Sequence, residues 1–282
     1  MKKVRLNGRP VNPIGIGTWH MGDNKIIRNN EIDAIREGIR QGASVIDTAE
    51  MYGNGRSEKL VGEAISVLNR KSIFLISKFY PSNASEPSLS YSLDKSLERL
   101  ETEYLDMYLL HWRGRIPLER TVYDLENLVV QGKIKSWGVS NFDSNDIKEL
   151  FSIPDGENCK ANEVLYNIAS RGIEYDLLPL QKKEALPIIA YSPIDQGDTR
   201  GAGLAKNQIL LEIAHTKKID VFQLMLAWTI RNRETIAIPQ TSNVRHMINN
   251  IAAARIELSE RELRLIDSIV SPPKFKQPLD II

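Results

Sequence analysis

The 282-residue chain has one cysteine, Cys159, which can form no internal disulfide and has no CxxC neighbour of the kind a zinc site uses. It reads as a bystander thiol. Nor do the four histidines and the carboxylates fall at metal-ligand spacing, so no metal is expected. No apolar run approaches the roughly 20 residues of a membrane span, and the opening MKKVRLNGRPV lacks the apolar core of a secretory leader. A membrane partner is therefore not expected, and a cytoplasmic protein is. Charge of one sign is also missing. The formal net charge is +1, and basic residues are dispersed apart from small groups such as Lys2 with Lys3 and residues 113–120, which argues against a nucleic-acid partner.

What remains, 42% hydrophobic and 26% charged residues, is the balance of a globular protein with a sizeable core. The segment 44–62, SVIDTAEMYGNGRSEKLVG, shows its grammar. A short apolar run ends in Asp47, a Gly-punctuated stretch follows, and a helix with Leu60, Val61, Ala64 and Ile65 on one face begins near a cap at Ser57. This strand–loop–helix unit recurs. Strands are expected at PIGIG, SVID, SIFLISK, YLDMYLL, SWGVS, ANEVLY, PIIAYS and TIAIP, each followed by helical material. Their largely unalternating apolar character suits parallel strands covered on both sides. Eight such units predict one α/β domain over 1–282, a single (β/α)8 barrel. Asn7-Gly8 predicts an N-terminal β-hairpin, and Ser259 with Glu262 predicts the capping box of an additional C-terminal helix over 258–270. Asn30 and Gly42 are expected to bound the first helix, and 209–231 reads as one long helical segment.

In a barrel the residues just past the strands' carboxyl ends converge on one face. Here those positions hold Asp47, Tyr52, Lys78, His111, Ser140, Asn141, Glu163, Tyr191 and Gln240. The first four form a chemical set. A tyrosine with an ordinary pKa near 10 needs a positive charge to stabilise the phenolate it leaves as a general acid. Lys78 can supply that charge, Asp47 can hold Lys78 protonated, and His111 can donate a second hydrogen bond to a carbonyl oxygen.

DTAEMYG, ISK, LLHW, GVSN, NEVLYN, YSP and AIPQ resemble, in order and spacing, the signature segments of the aldo-keto reductase family. The resemblance spans nearly the whole chain. It implies a barrel that binds NADPH without a Rossmann domain, which agrees with the lack of a GxGxxG after a strand. It implies Asp47, Tyr52, Lys78 and His111 as the catalytic tetrad, and Tyr191 as the ring on which the nicotinamide stacks. Ser140, Asn141 and Glu163 would hold the carboxamide, although the family often has glutamine where Glu163 stands. Gly17, Thr18, Trp19 and Asp47 would also border the cofactor. The loop 194–203, with Ser192 and Pro193 before it and Asp195, Gln196 and Gly197 within it, would cover the pyrophosphate. Ile238, Pro239 and Gln240 lead to the adenosine end, followed by Thr241, Ser242, Arg245, His246, Asn249 and Asn250. Many relatives have lysine at Gln240, so NADPH is expected with NADH possible. The backbone N–H groups of the helix begun by Thr241, Ser242 and Asn243 offer a phosphate site of their own.

Substrate walls would be Trp19, Met51, Tyr52, Phe79, His111 and Trp112, with Met21 and His20 as further candidates. Trp137 and Trp228 read as core, and His215 as a surface residue. A short C-terminal tail, SPPKFKQPLDII, implies an open, shallow pocket. The expected activity is NAD(P)H-dependent reduction of small aldehydes and ketones, sugar-derived or dicarbonyl, with Tyr52 as proton donor in a monomer or weak oligomer. The alternative is a sensory barrel that binds cofactor with little turnover. A Schiff-base aldolase using Lys78 is a third reading.

Overall fold

In a computed structural model that describes residues 3–194 and 203–282, the hairpin comes first. Strands β1 (Val4–Leu6) and β2 (Arg9–Val11) pair antiparallel through a turn in which Asn7 and Gly8 both have positive φ, 46° and 73°. That is the backbone a two-residue hairpin turn requires, and Asn-Gly adopts it at least cost.

Eight parallel strands follow at the eight expected places: β3 (Ile16–Gly17), β4 (Val45–Asp47), β5 (Phe74–Phe79), β6 (Met107–Leu110), β7 (Trp137–Ser140), β8 (Asn162–Leu165), β9 (Ile188–Tyr191) and β10 (Thr235–Ala237). Each pairs with its sequence neighbour, from β3 through to β10. A parallel bridge between Ile14 and Ala237, with the Gly15 and Gly17 N–H groups donating to Ala237 and Pro239, joins the first strand to the last. The result is the (β/α)8 barrel. Gly17 is required at that seam, because a Cβ there would lie 2.4 Å from the Ile238 carbonyl oxygen.

Alternation along each strand sorts side chains between two cores. Ile46, Leu75, Tyr108, Leu110, Val139 and Ile188 face outward, under the helices. Val45, Ile76, Leu109, Ala161, Ile189 and Ile236 face inward, where Val4, Leu6 and Val11 of the hairpin join them. Two residues further along the same strands, the inward positions are Asp47, Lys78, His111, Glu163 and Tyr191. The polar set thus lies one layer above an apolar barrel interior.

The helices that return the chain are α1 (Arg28–Arg40), α2 (Arg56–Ile65), α3 (Ser88–Leu100), α4 (Leu118–Val130), α5 (Ser144–Ser152), α6 (Leu177–Lys183), α7 (Gln208–Lys217), α8 (Val221–Thr229) and α9 (Val244–Ala252). The additional helix α10 (Glu260–Ile269) carries the Ser259–Glu262 capping box. Three details differ from expectation. Helix α1 starts two residues before Asn30, which therefore does not cap it, while Gly42 does follow its end with φ 101°. Ser57 lies inside α2 and donates to the Thr18 carbonyl at 2.9 Å, tying the helix to the chain after β3. The 209–231 segment is two helices, α7 and α8, because Asp220 and Gln223 form a capping box that starts a new helix.

Beyond α10 the chain returns to the carboxyl ends of the barrel strands. Lys276 holds it there through Asp143 at 2.9 Å and Asp176 at 3.1 Å. Among the described residues, no helix is long and apolar enough to cross a membrane.

Candidate active site

At the carboxyl end of β5, Lys78 is fully buried and donates three hydrogen bonds. Its acceptors are Asp47 Oδ1 at 2.5 Å, the Tyr52 hydroxyl at 3.0 Å and the Thr48 carbonyl at 3.2 Å. Glu163 Oε1 lies 3.3 Å from the same ammonium. Tyr52 reaches it from a 3-10 turn (Tyr52–Gly55) after β4, and its ring meets the His111 ring edge-on with centroids 5.8 Å apart. Sequence-distant residues converge because each ends a strand of one closed sheet.

Burial sets the protonation states. It pushes the Tyr52 phenol above its usual range; the Lys78 charge opposes that push, while Asp47 and Glu163 add to it. The expected lowering by Lys78 is thus present in sign but outweighed, and Tyr52 holds its proton firmly. Burial and the Lys78 charge push His111 down to about 3, so its imidazole is neutral at physiological pH. Lys78 itself is pushed upward: burial opposes its charge, but Asp47 and Glu163 more than offset the effect.

These groups form the floor of a cleft of about 1230 Å³. That exceeds the roughly 300–1,000 Å³ of a site for one small ligand and leaves room for an extended cofactor with a small substrate. Trp19, Met51 and Trp112 stand on its walls, together with His20, which stacks on Trp19 with ring centroids 4.5 Å apart. Tyr191 donates to Asn141 Oδ1 at 2.9 Å, and Asn141 Nδ2 donates to the His111 carbonyl at 3.1 Å. The cleft also reaches Gly17, Thr18, Ser140, Glu163, Ser192 and Pro193. At its far end it meets Ile238, Pro239, Gln240, Thr241, Ser242, His246, Asn249 and Asn250.

Several expectations require correction. Phe79 is fully buried against Tyr108 with ring centroids 4.7 Å apart, because it follows Lys78 and so faces outward, away from the cleft. Met21 is likewise in the core under the helices. Arg245 is exposed and does not itself line the cleft, but it directly precedes His246, which does. The helix N-terminus at α9 is less available than expected: Asn243 Oδ1 accepts from the Arg245 N–H at 2.8 Å and the His246 N–H at 3.1 Å. Asp195, Gln196 and Gly197 lie outside the described residues. Trp137 and Trp228 are buried, His215 is exposed, and Cys159 is a buried free thiol.

The sequence model of the Aldo/keto reductase family matches residues 13–271, which is most of the barrel just described. The chain belongs to the aldo/keto reductase family. As a member it is an NADP-dependent oxidoreductase that acts on carbonyl groups. It is 45% identical over 282 residues to a methylglyoxal reductase, YeaE, of Escherichia coli (strain K12), covering 100% of this chain and 99% of the relative. It is 31% identical to a glyoxal reductase of Bacillus subtilis (strain 168), covering 93% and 90%. A crystal structure of an aldo/keto reductase from Klebsiella pneumoniae in complex with NADP and acetate superposes with a TM-score of 0.98 at 46% identity, covering 100% and 99%.

In this aldo/keto reductase the cleft has walls that motif reading missed. Asp220 and Phe222 line it from the start of α8. Asp220 Oδ1 accepts from the Gln223 N–H at 2.8 Å and its Oδ2 accepts from Asn249 Nδ2 at 2.9 Å. The D-x-x-Q capping pattern was a visible signal for that helix start. Ile281 and Ile282 also line the cleft, so the short tail does not leave it simply open. No local pattern signals that return, in which the Lys276 ion pairs and the packing of Leu279 against the core take part.

Proposed function

We propose that this reductase converts small aldehydes, above all 1,2-dicarbonyls such as methylglyoxal and glyoxal, to alcohols with NADPH, and that Tyr52 donates the proton. The observation that carries this reading is the chain of contacts from Asp47 through Lys78 to the Tyr52 hydroxyl, 2.5 and 3.0 Å long, at the floor of a cleft that His111 shares. The names of the two curated relatives support the dicarbonyl class.

The residues present fit a nicotinamide cofactor. Glu163 Oε2 and His111 Nδ1 are buried polar atoms of cleft residues without a hydrogen-bond partner among the described residues, and the partly exposed Tyr191 ring offers a flat surface. Tyr191 would stack on the nicotinamide, Ser140, Asn141 and Glu163 would hold its carboxamide, and Arg245 and His246 would meet the 2′-phosphate at the rim. When bound, NADPH supplies a hydride.

The carbonyl oxygen accepts hydrogen bonds from the Tyr52 hydroxyl and from neutral His111. Negative charge that gathers on that oxygen draws the proton from Tyr52, leaving a phenolate beside the Lys78 ammonium. Asp47 keeps Lys78 charged and aimed at the phenol. Such positioned proton transfer contributes about 10²–10⁴ in rate.

Full burial and three donated hydrogen bonds leave Lys78 no free amine, which weighs against a Schiff base. The test is NADPH oxidation with methylglyoxal by wild type and Tyr52→Phe. Turnover that collapses in the variant while NADPH still binds supports the reading. A wild type that binds NADPH but turns over no aldehyde would favour the sensory barrel instead.

A further inference from the structure

The layer around Lys78 has more acceptors than donors. An ammonium carries three hydrogens, and Asp47 Oδ1, the Tyr52 hydroxyl and the Thr48 carbonyl take them. Glu163 Oε1 is a fourth neighbour at 3.3 Å, one acceptor more than the three hydrogens supply. With both carboxyl groups ionised, Asp47 Oδ2 and Glu163 Oε2 are each buried with no partner. Charge is unbalanced in the same way. Two carboxylates and one ammonium leave a net negative charge in a site where both acids are about 1% exposed.

Two buried like charges flanking one cation resolve by taking up a proton. The shorter, hydrogen-bonded contact of Asp47 with Lys78 makes it the acid that stays ionised. A proton on Glu163 supplies the missing donor, because both acids meet at one ammonium, 2.5 Å and 3.3 Å from Lys78 Nζ, each with a second buried oxygen left without a partner. Burial and the charge of Asp47 both push Glu163 upward, in agreement with that assignment. The other titratable groups that feel Glu163 are Tyr52, beyond β4, and Tyr191 on β9, both neutral.

We propose that Glu163 is held as a neutral carboxylic acid that donates its proton in a hydrogen bond to Asp47 beside Lys78, and that it is a positioning residue for the proton donor Tyr52. An ionised Glu163 would place a second negative charge beside the phenol and oppose formation of the phenolate. The neutral acid balances Lys78 against Asp47 alone. This role rests on the reductase reading; the protonation state does not.

The test reads protons directly, in the protein without cofactor. A group protonated when folded and ionised when unfolded makes folding take up one proton, so its stabilisation is full below the unfolded pKa and declines as pH rises toward the folded one. As pH rises from the ordinary carboxylate range to neutrality, the wild-type folding constant should therefore fall about tenfold per pH unit relative to that of Glu163→Gln, a neutral isostere. Urea titrations across that range give the difference, and parallel profiles would overturn the proposal. Should the variant fail to fold, infrared spectra of wild type with carbon-13-labelled glutamate decide. A label-shifted band of a protonated carboxyl at neutral pH is expected, and its absence counts against a neutral Glu163. In turnover with NADPH and methylglyoxal, Glu163→Leu, which removes the donor to Asp47, should lower kcat about tenfold, and Glu163→Gln, which keeps a neutral donor, should recover most of that loss. Equal kcat for the two variants would remove the positioning role. Neither the titration nor the spectrum uses cofactor or aldehyde, so a protein inactive as a reductase would still give an answer on Glu163.

Discussion

Lys78 Nζ and Asp47 Oδ1 are 2.5 Å apart, and neither side chain is more than 2% exposed. Breaking a buried pair by removing one partner leaves the other charge unpaired in a dry site, at a cost of about 3–5 kcal/mol. Lys78→Met should therefore destabilise the fold by that order and abolish turnover as well. Urea denaturation checks the first effect. A variant as stable as wild type would show that the pair contributes little to folding.

His111 should make the protein sensitive to acid before its carboxylates do. Its ordinary pKa of 6.5 in the unfolded chain falls to about 3 in the fold. In that window the unfolded state binds the extra proton, so stability falls as pH falls, by about 1.4 kcal/mol per unit. The substitution His111→Gln should flatten the wild-type profile from about pH 6 downward. Paired denaturation curves measure the difference, which cancels the contribution of other groups.

The barrel seam gives a test of the fold itself. A methyl group on Gly17 would press on the Ile238 carbonyl, where backbone has little room to yield. Gly17→Ala should cost about 1–3 kcal/mol through overpacking, and it should weaken cofactor binding because both residues border the cleft. Thermal unfolding and NADPH titration by fluorescence report the two effects separately.

These tests concern parts of the molecule that differed in how plainly the sequence displayed them. Asp47, Lys78, His111, Glu163 and Tyr191 were legible because each stands at the end of an apolar strand, and strand parity fixes which way such a residue points. Phe79 went astray by ignoring that same parity: its neighbour Lys78 faces the cleft, so Phe79 must face the helices. Asn243 opens a helix whose N–H groups suggest an anion site, yet a short polar side chain in that position satisfies those groups itself. Ile281 and Ile282 carried no local signal, since tertiary contacts of the tail, the Lys276 ion pairs and the packing of Leu279 among them, bring them back. The protonation of Glu163 also lay beyond sequence reading, because it depends on counting donors around a buried ammonium.

Cofactor preference should be decided at the rim of the cleft. Gln240 is exposed there, Arg245 is exposed just beyond it beside His246, and Asn243 already occupies two of the N–H groups that could have met a phosphate. The burden of recognising the 2′-phosphate then falls on side chains, chiefly Arg245 with His246. Hydrogen bonds to a charged group contribute about 1.5–3 kcal/mol, so Arg245→Ala should weaken NADPH binding by about 10-fold or more and leave NADH unchanged. Gln240→Lys should act in the opposite direction by adding a cation beside the same phosphate. Because these contacts are exposed, added salt should erode the NADPH preference of wild type, and less so that of Arg245→Ala. Binding titrations with both cofactors at low and high salt measure all of these. Equal losses for NADPH and NADH in Arg245→Ala would place the arginine elsewhere on the cofactor or make its role structural.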